Sequence, residues 1–319
     1  MKIIYAGTPE ISISCLDQIA KSDHEISLVL TMPDKPFGRG KKIQEGPIKK
    51  FAKSKNLSIF QPANLKDKET QSFINQLAPD LVVVFAYGML LPEEVLSIPK
   101  FGCLNIHTSL LPAYRGAAPI QRSIINGEKE TGISFMKMAK ELDTGPIYES
   151  QKIAIDEVET SETLSLKMIK ASSSKILKVI DNIENNNFNL TIQKNSEASY
   201  AKKLSKEEAL INWDQNAEII KNKINGFCPN PCAFTFKGSE RLTLFKAKFS
   251  DRPASIPGQV IECTRSKLVI SAADYAVEII ELSREGKKRM SFEDFKNGSQ
   301  DFFFHFSILI LIYFLDMKP

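Results

Sequence analysis

Residues 79–88, PDLVVVFAYG, decide the fold. From Leu81 to Phe85 the run is apolar at every position, rich in Val, and closed off by Pro on one side and Gly on the other. A strand with no polar face has to lie in a sheet covered on both sides, which is the habit of parallel sheets flanked by helices. Upstream, KIIYAG (2–7) reads as a first strand, an amphipathic segment follows from Ile11 to Ala20, and EISLVLT (25–31) reads as a second strand. Downstream, GCLNIH (102–107) is another short apolar run that starts at a Gly. Strand-like and helix-like runs alternate, so the first part of the chain is predicted to be an α/β domain with a mainly parallel sheet.

A long helical pattern spans Ser161 to Glu184, and then the chain turns polar through NNNFNLTIQKNSEASYAKKLSKEEA. Clustered Asn, Ser and Lys with few apolar residues make 190–205 the candidate linker between domains at 1–189 and 206–319. Beyond it, CAFTFKG, RLTLFKAKF, GQVIECT, KLVISAA and AVEIIEL are short strands broken by Gly, Pro, Ser or Asp. That cadence suggests a small β-barrel or sandwich. From about residue 296 the chain becomes unusually apolar, in FFFHFSILILIYFL, a run shorter than the roughly 20 residues of a membrane-spanning helix.

The 319 residues are 43% hydrophobic and 25% charged, with a net charge of +4, which excludes disordered and fibrous classes and sets no strong electrostatic bias. Five scattered cysteines suit reduced thiols in a cytoplasm. Cys228 and Cys232, in CPNPC, lack a second Cys/His pair to complete four ligands, so no metal is expected. The opening MKIIYAGTPE is too short in apolar residues for a signal peptide, and YAGTPE lacks the glycine spacing of a dinucleotide-binding turn. Nothing in the sequence requires more than a monomer.

The candidate chemistry lies in CLNIHTSLLPAYRGAAP (103–119). Asn105 and His107 stand two apart on a strand, so their side chains share a face, at the carboxyl end where open α/β sheets bind ligands. Farther on, MAKELDTGPIY places Asp143 before Thr-Gly-Pro, a turn expected to expose the carboxylate. An amide donor, an imidazole and a carboxylate could serve as an oxyanion stabiliser, a general acid/base and the group that orients it. Taken singly, each of the three is as consistent with an ordinary structural role.

The whole stretch NIHTSLLPAYRGAAPIQRSIINGEKETGISFMKMAKELDTGPI (105–147) resembles the catalytic core of the folate-dependent formyltransferases, in particular those acting on methionyl-tRNA. IIYAGTPE resembles the family's first strand and turn, MPDKPFGRGKK (32–42) its basic insertion, and AKKLSKEEALINW (201–213) its bridge to a C-terminal domain. The resemblance implies a Rossmann-like domain followed by an OB-like barrel. It implies a catalytic trio of Asn105, His107 and Asp143, a folate-contacting loop at Ser109, Leu110, Leu111 and Pro112, and an initiator-tRNA grip at Arg39, Lys41 and Lys42. The donor implied is 10-formyltetrahydrofolate, with no metal and no membrane partner. Thr108, where the family often has Gly, and Ala113, where a basic residue is frequent, depart from the pattern. A formyltransferase of sugar nucleotides or purine precursors would share the trio, and a non-catalytic folate- or RNA-binding relative would share the fold. The basic insertion and the bridge favour the tRNA enzymes.

Overall fold

A computed structural model of the chain describes residues 1–37 and 42–298. Arg39 and Lys41 of the basic insertion, and the apolar tail from residue 299, lie outside the described residues, and of Lys42 only the backbone is described. The chain forms two compact units. The first comprises Met1–Pro119, Glu130–Ala154 and Ser165–Ala201; the second comprises Ile120–Lys129, Ile155–Leu164 and the chain from Lys202 onward.

The first unit contains, in chain order, β1 (Lys2–Gly7), α1 (Ile13–Ala20), β2 (Glu25–Leu30), the hairpin of β3 (Lys35–Phe37) and β4 (Lys42–Gln44), α2 (Pro47–Ser54), β5 (Ile59–Phe60) and α3 (Lys68–Gln76). Then come β6 (Leu81–Phe85), α4 (Glu93–Leu96), β7 (Cys103–His107) and β8 (Arg115–Gly116). Helix α5 (Pro119–Ile125), which past Pro119 is counted in the second unit, precedes β9 (Glu130–Lys137) and β10 (Ile147–Ala154); helix α6 spans Ser161–Glu184, in the first unit from Ser165 onward, and β11 (Tyr200–Ala201) closes that unit.

The main sheet has the order β10-β9-β7-β6-β1-β2-β5. Strands β5, β2, β1, β6 and β7 are parallel, whereas β9 pairs antiparallel with both β7 and β10. All five residues of β6 are buried, as are Ile3, Ile4, Tyr5 and Ala6 of β1, which is what central strands with no polar face require. Strand β10, IYESQKIA, alternates instead toward solvent and sits at the edge of the sheet. On one face, Ile4, Ala6, Leu28, Val82 and Val84 pack with Leu65, Ile74 and Val95 into a continuous core.

The second unit is an OB-like antiparallel sheet of β12 (Ala233–Lys237), β13 (Glu240–Ser250), β14 (Val260–Cys263), β15 (Leu268–Ser271), β16 (Ala276–Arg284) and β17 (Met290–Ser291), in the order β12-β13-β16-β15-β14, with β17 against β16. The long strand β13 shifts register against β16 near Lys246, which lets it bend. Two helices escaped the strand-by-strand reading of this region: α7 (Ala217–Phe227) and α8 (Phe292–Gly298). Helix α7 carries Ala217, Ile220, Ile224 and Phe227 into the core, beside Trp213 and the strands' inner residues. The Trp213 indole donates to the Thr235 hydroxyl at 3.0 Å, so its one polar group is satisfied in the apolar interior.

Candidate active site

Strand β7 ends at His107, and its neighbour β9 pairs with it antiparallel, His107 opposite Ser134 and Leu104 opposite Lys137. The chain therefore leaves β9 beside the beginning of β7, away from His107. To return, residues 138–146 fold back on themselves. Gly145 makes the reversal possible: a side chain there would place its first carbon 1.7 Å from the Lys137 carbonyl oxygen. Asp143, at the bend, takes a left-handed backbone with φ of 54°, a conformation that Asp tolerates better than most residues.

The reversal brings the three polar side chains of the sequence reading together. Asn105 Nδ2 lies 3.5 Å from Asp143 Oδ1, and His107 Nδ1 lies 3.7 Å from Asp143 Oδ2. The Asp143 carboxylate is not displayed on the surface as its turn suggested. It is 8% exposed, and Oδ2 accepts the Gly116 backbone N–H at 2.8 Å. The burial follows from the fold-back, which packs the turn against the loop after β7 rather than leaving it at the edge. His107 is also buried, with Nε2 2.9 Å from the Tyr114 carbonyl oxygen. A carbonyl oxygen can only accept, so Nε2 carries a proton, and Nδ1 is the ring position turned toward Asp143.

A pocket of about 400 Å³ opens onto Asp143. Leu90, Leu91, Pro92, Met136, Met138 and Leu142 give it apolar walls, with Lys66, Glu93, Lys140 and Glu141 among its polar lining. Leu90 is 74% exposed and Leu142 is 54% exposed, a cost in water unless something apolar covers them. Sequence reasoning missed this pocket, because its walls come from the loop after β6 and from the fold-back, some fifty residues apart.

The loop singled out for folate contact is tightly packed. The Ser109 hydroxyl, fully buried, donates to the Ala113 carbonyl at 2.6 Å. Leu111 donates its N–H to the Ser134 hydroxyl and clusters with Met136 and Ile147. Leu110 and Pro112 are half-buried. Beneath the site, burial pushes the Cys103 thiol up to about 12, which makes it a poor nucleophile.

The segment taken from composition as a linker is partly tied to this site. Thr191 exchanges two backbone hydrogen bonds with Ile147, each 2.9 Å. Gln193 donates its side-chain amide to the Asp143 and Gly145 carbonyls at 2.9 and 2.7 Å. Ser199 accepts the Arg115 N–H on its carbonyl and the Tyr114 N–H on its hydroxyl. Polar composition concealed these contacts, since a strap that bonds by amides and hydroxyls looks like a solvated tether.

Several basic side chains near the insertion and in the second unit are paired with carboxylates. Lys49 sits 2.6 Å from Asp34 and 3.6 Å from Glu45, and the Lys49 ammonium together with the Gln61 amide holds the Asp34 carboxyl below its usual range. In the second unit Lys248 pairs with Glu278, Arg252 with Glu262 and Arg265 with Glu293, while the Arg241 guanidinium lies over the Phe234 ring. Much of the cationic charge there is internally neutralised.

The profile of the Formyl transferase family matches residues 1–180, and that of the Formyl transferase C-terminal domain matches residues 203–300. The chain belongs to the formyl transferase family. This formyl transferase is 43% identical over 304 residues to a protein of Dictyoglomus thermophilum named "Methionyl-tRNA formyltransferase", covering 93% of this chain and 97% of that one. It is 38% identical over 301 residues to the protein of that name from Legionella pneumophila, covering 94% and 96% of the two chains. A solved sugar 3N-formyl transferase, crystallised with dTDP and 5-N-formyl-THF, shares the fold at a TM-score of 0.66 and 22% identity, over 90% of this chain and 99% of that one. As a formyl transferase, the chain is a one-carbon group transferase.

Proposed function

We propose that this formyl transferase transfers the formyl group of 10-formyltetrahydrofolate to the α-amino group of initiator methionyl-tRNA, supplying N-formylmethionyl-tRNA for translation initiation in the cytoplasm. The observation that carries the reading is the 38–43% identity to proteins of that name, sustained through both units rather than the catalytic segment alone.

The site geometry supports a direct transfer. The neutral amine attacks the formyl carbon, a C–N bond forms, and negative charge gathers on the formyl oxygen. Donors already in place stabilise that charge without the cost of reorganising solvent. Asn105 suits this role, because its 3.5 Å approach to Asp143 is too long to be a strong bond and leaves the amide able to turn toward an oxyanion. The attacking nitrogen must lose a proton. Asp143 Oδ1, approached by that distant amide, has acceptor capacity left, and Oδ2 is held by Gly116. With Nε2–H committed to Tyr114, His107 works through Nδ1, beside the carboxylate. The proton taken by the Asp143–His107 pair is returned to N10 of the folate as the C–N10 bond breaks, giving tetrahydrofolate. Atoms and charge balance with no metal.

Folate rings fit the apolar pocket that ends at Asp143, where Leu90, Pro92, Met138 and Leu142 would cover them, with Leu110 and Pro112 as the members of the 109–112 loop that are not fully buried. The charges of the basic insertion, Arg39, Lys41 and Lys42, suit the phosphates of the acceptor arm, and Ile43, next in sequence on β4 and 74% exposed, offers an apolar contact. The test is formyl transfer from 10-formyltetrahydrofolate to purified methionyl-tRNA and, separately, to a dTDP-amino sugar. Transfer to the sugar with none to the tRNA would replace this reading by the sugar-nucleotide one.

A further inference from the structure

We infer that Arg115 and Gln193 form a positioning pair that sets the backbone of the Asp143 turn for proton transfer. Arg115 is 2% exposed. Its guanidinium donates from Nε and Nη2 to Gln193 Oε1, at 3.1 and 2.8 Å, and from Nη1 to Asn195 Oδ1 at 3.1 Å. Among the described residues no carboxylate pairs with it. A buried cation that has only neutral acceptors is an expensive way to fill a core, and an apolar side chain of similar size would serve stability as well or better.

What the guanidinium does supply is direction. An arginine only donates, so Gln193 Oε1 must face it, which turns the Gln193 NH2 the other way, onto two backbone carbonyls that only accept. Those carbonyls belong to Asp143 and Gly145, on either side of Thr144. The amide therefore grips the turn from behind, independently of the Asp143 side chain. Gly116, the next residue after Arg115, donates its N–H to the Asp143 carboxylate from the other side. Backbone and carboxylate of Asp143 are thus held by one dipeptide, directly through Gly116 and through Gln193 for Arg115. β8 is in turn clamped to β11 by Arg115 opposite Tyr200 and Gly116 opposite Ala201.

The inference rests on the proposed role of Asp143 in formyl transfer, and two variants test it in the full-length chain. Gln193→Glu keeps the acceptor for Arg115 but presents an oxygen, not an NH2, to the two carbonyls. Arg115→Met removes the charge while keeping bulk. Each is expected to lower kcat by about tenfold to a hundredfold, the scale of a misplacement of about an ångström, with KM for methionyl-tRNA within about twofold. Neither should slow an Asp143→Asn chain further, because the group being positioned is already gone. Amide hydrogen exchange across 140–147 should quicken in both variants. Unchanged kcat in both, with or without faster exchange, overturns the inference, and so do losses that multiply with that of Asp143→Asn. A wild-type chain that formylates no methionyl-tRNA refutes the function instead. In that case exchange alone decides: faster exchange at 140–147 supports the grip, and unchanged exchange overturns it.

Discussion

Replacing Asp143 by Asn separates activity from stability in this site more sharply than any other single change. The substitution removes one proton-accepting oxygen and the negative charge and leaves the shape intact. On the rate side, loss of a positioned acid/base group costs about 10²–10⁴ in kcat, equivalent to roughly 2.7–5.5 kcal/mol of barrier. On the stability side the terms nearly cancel. The Gly116 N–H bond, 2.8 Å long, changes from charge-assisted to neutral, a loss of about 1 kcal/mol. Against this, a carboxylate that is 8% exposed no longer has to be desolvated. The turn itself is kept by the Gln193 amide and by the absence of a side chain at Gly145, neither of which the substitution touches. The expected outcome is a chain with kcat down by at least about a hundredfold, KM for methionyl-tRNA little changed, and a melting temperature within about 4 °C of wild type. Initial rates at saturating formyl folate and a calorimetric melt measure both. A kcat within about threefold of wild type would refute the assignment of Asp143 to proton transfer. A large loss of melting temperature with the rate would show that the carboxylate is chiefly a structural member.

Gly145→Ala should be worse for folding than Asp143→Asn and similar for activity, since its new methyl would meet the Lys137 carbonyl at 1.7 Å and the fold-back would open; a normal melt and normal kcat would contradict this geometry. Changing Arg39, Lys41 and Lys42 together to Ala should weaken use of methionyl-tRNA far more than binding of folate, and should make the slope of log K against log salt shallower by roughly 0.7 to 0.9 for each phosphate no longer neutralised. Equal losses for both ligands would argue against an RNA grip. Burial disfavours the thiolate of Cys103, and with its ionisation pushed up to about 12, the reactive fraction at pH 8 is on the order of 10⁻⁴. Iodoacetamide at that pH should leave Cys103 unlabelled in the native chain and reach the half-exposed Cys263 first, as read by peptide mass mapping. Early labelling of Cys103 would mean that the β7 core opens readily.

The sequence by itself determined the central strands and that the sheet they form is mainly parallel. Leu81 to Phe85 and Lys2 to Gly7 declare buried strands because no polar residue interrupts them, and Ser161 to Glu184 declares a helix by its periodicity; the structure has each of them there. It also singled out Asn105 and His107 as neighbours, because side chains two apart on a strand must point the same way. Burial patterns and strand periodicity are local, and local rules read them well. The tertiary structure alone decided that β9 runs antiparallel to β7, that the chain after it doubles back over Gly145, and that Asp143 consequently arrives buried beside His107 rather than exposed on a turn. It also turned the polar 190–201 stretch into a strap whose amides and hydroxyls hold both loops of the site. Hydrogen bonds between residues fifty to eighty-five positions apart leave no periodic trace in the chain, since each partner needs only a donor or an acceptor and the fold supplies the meeting place.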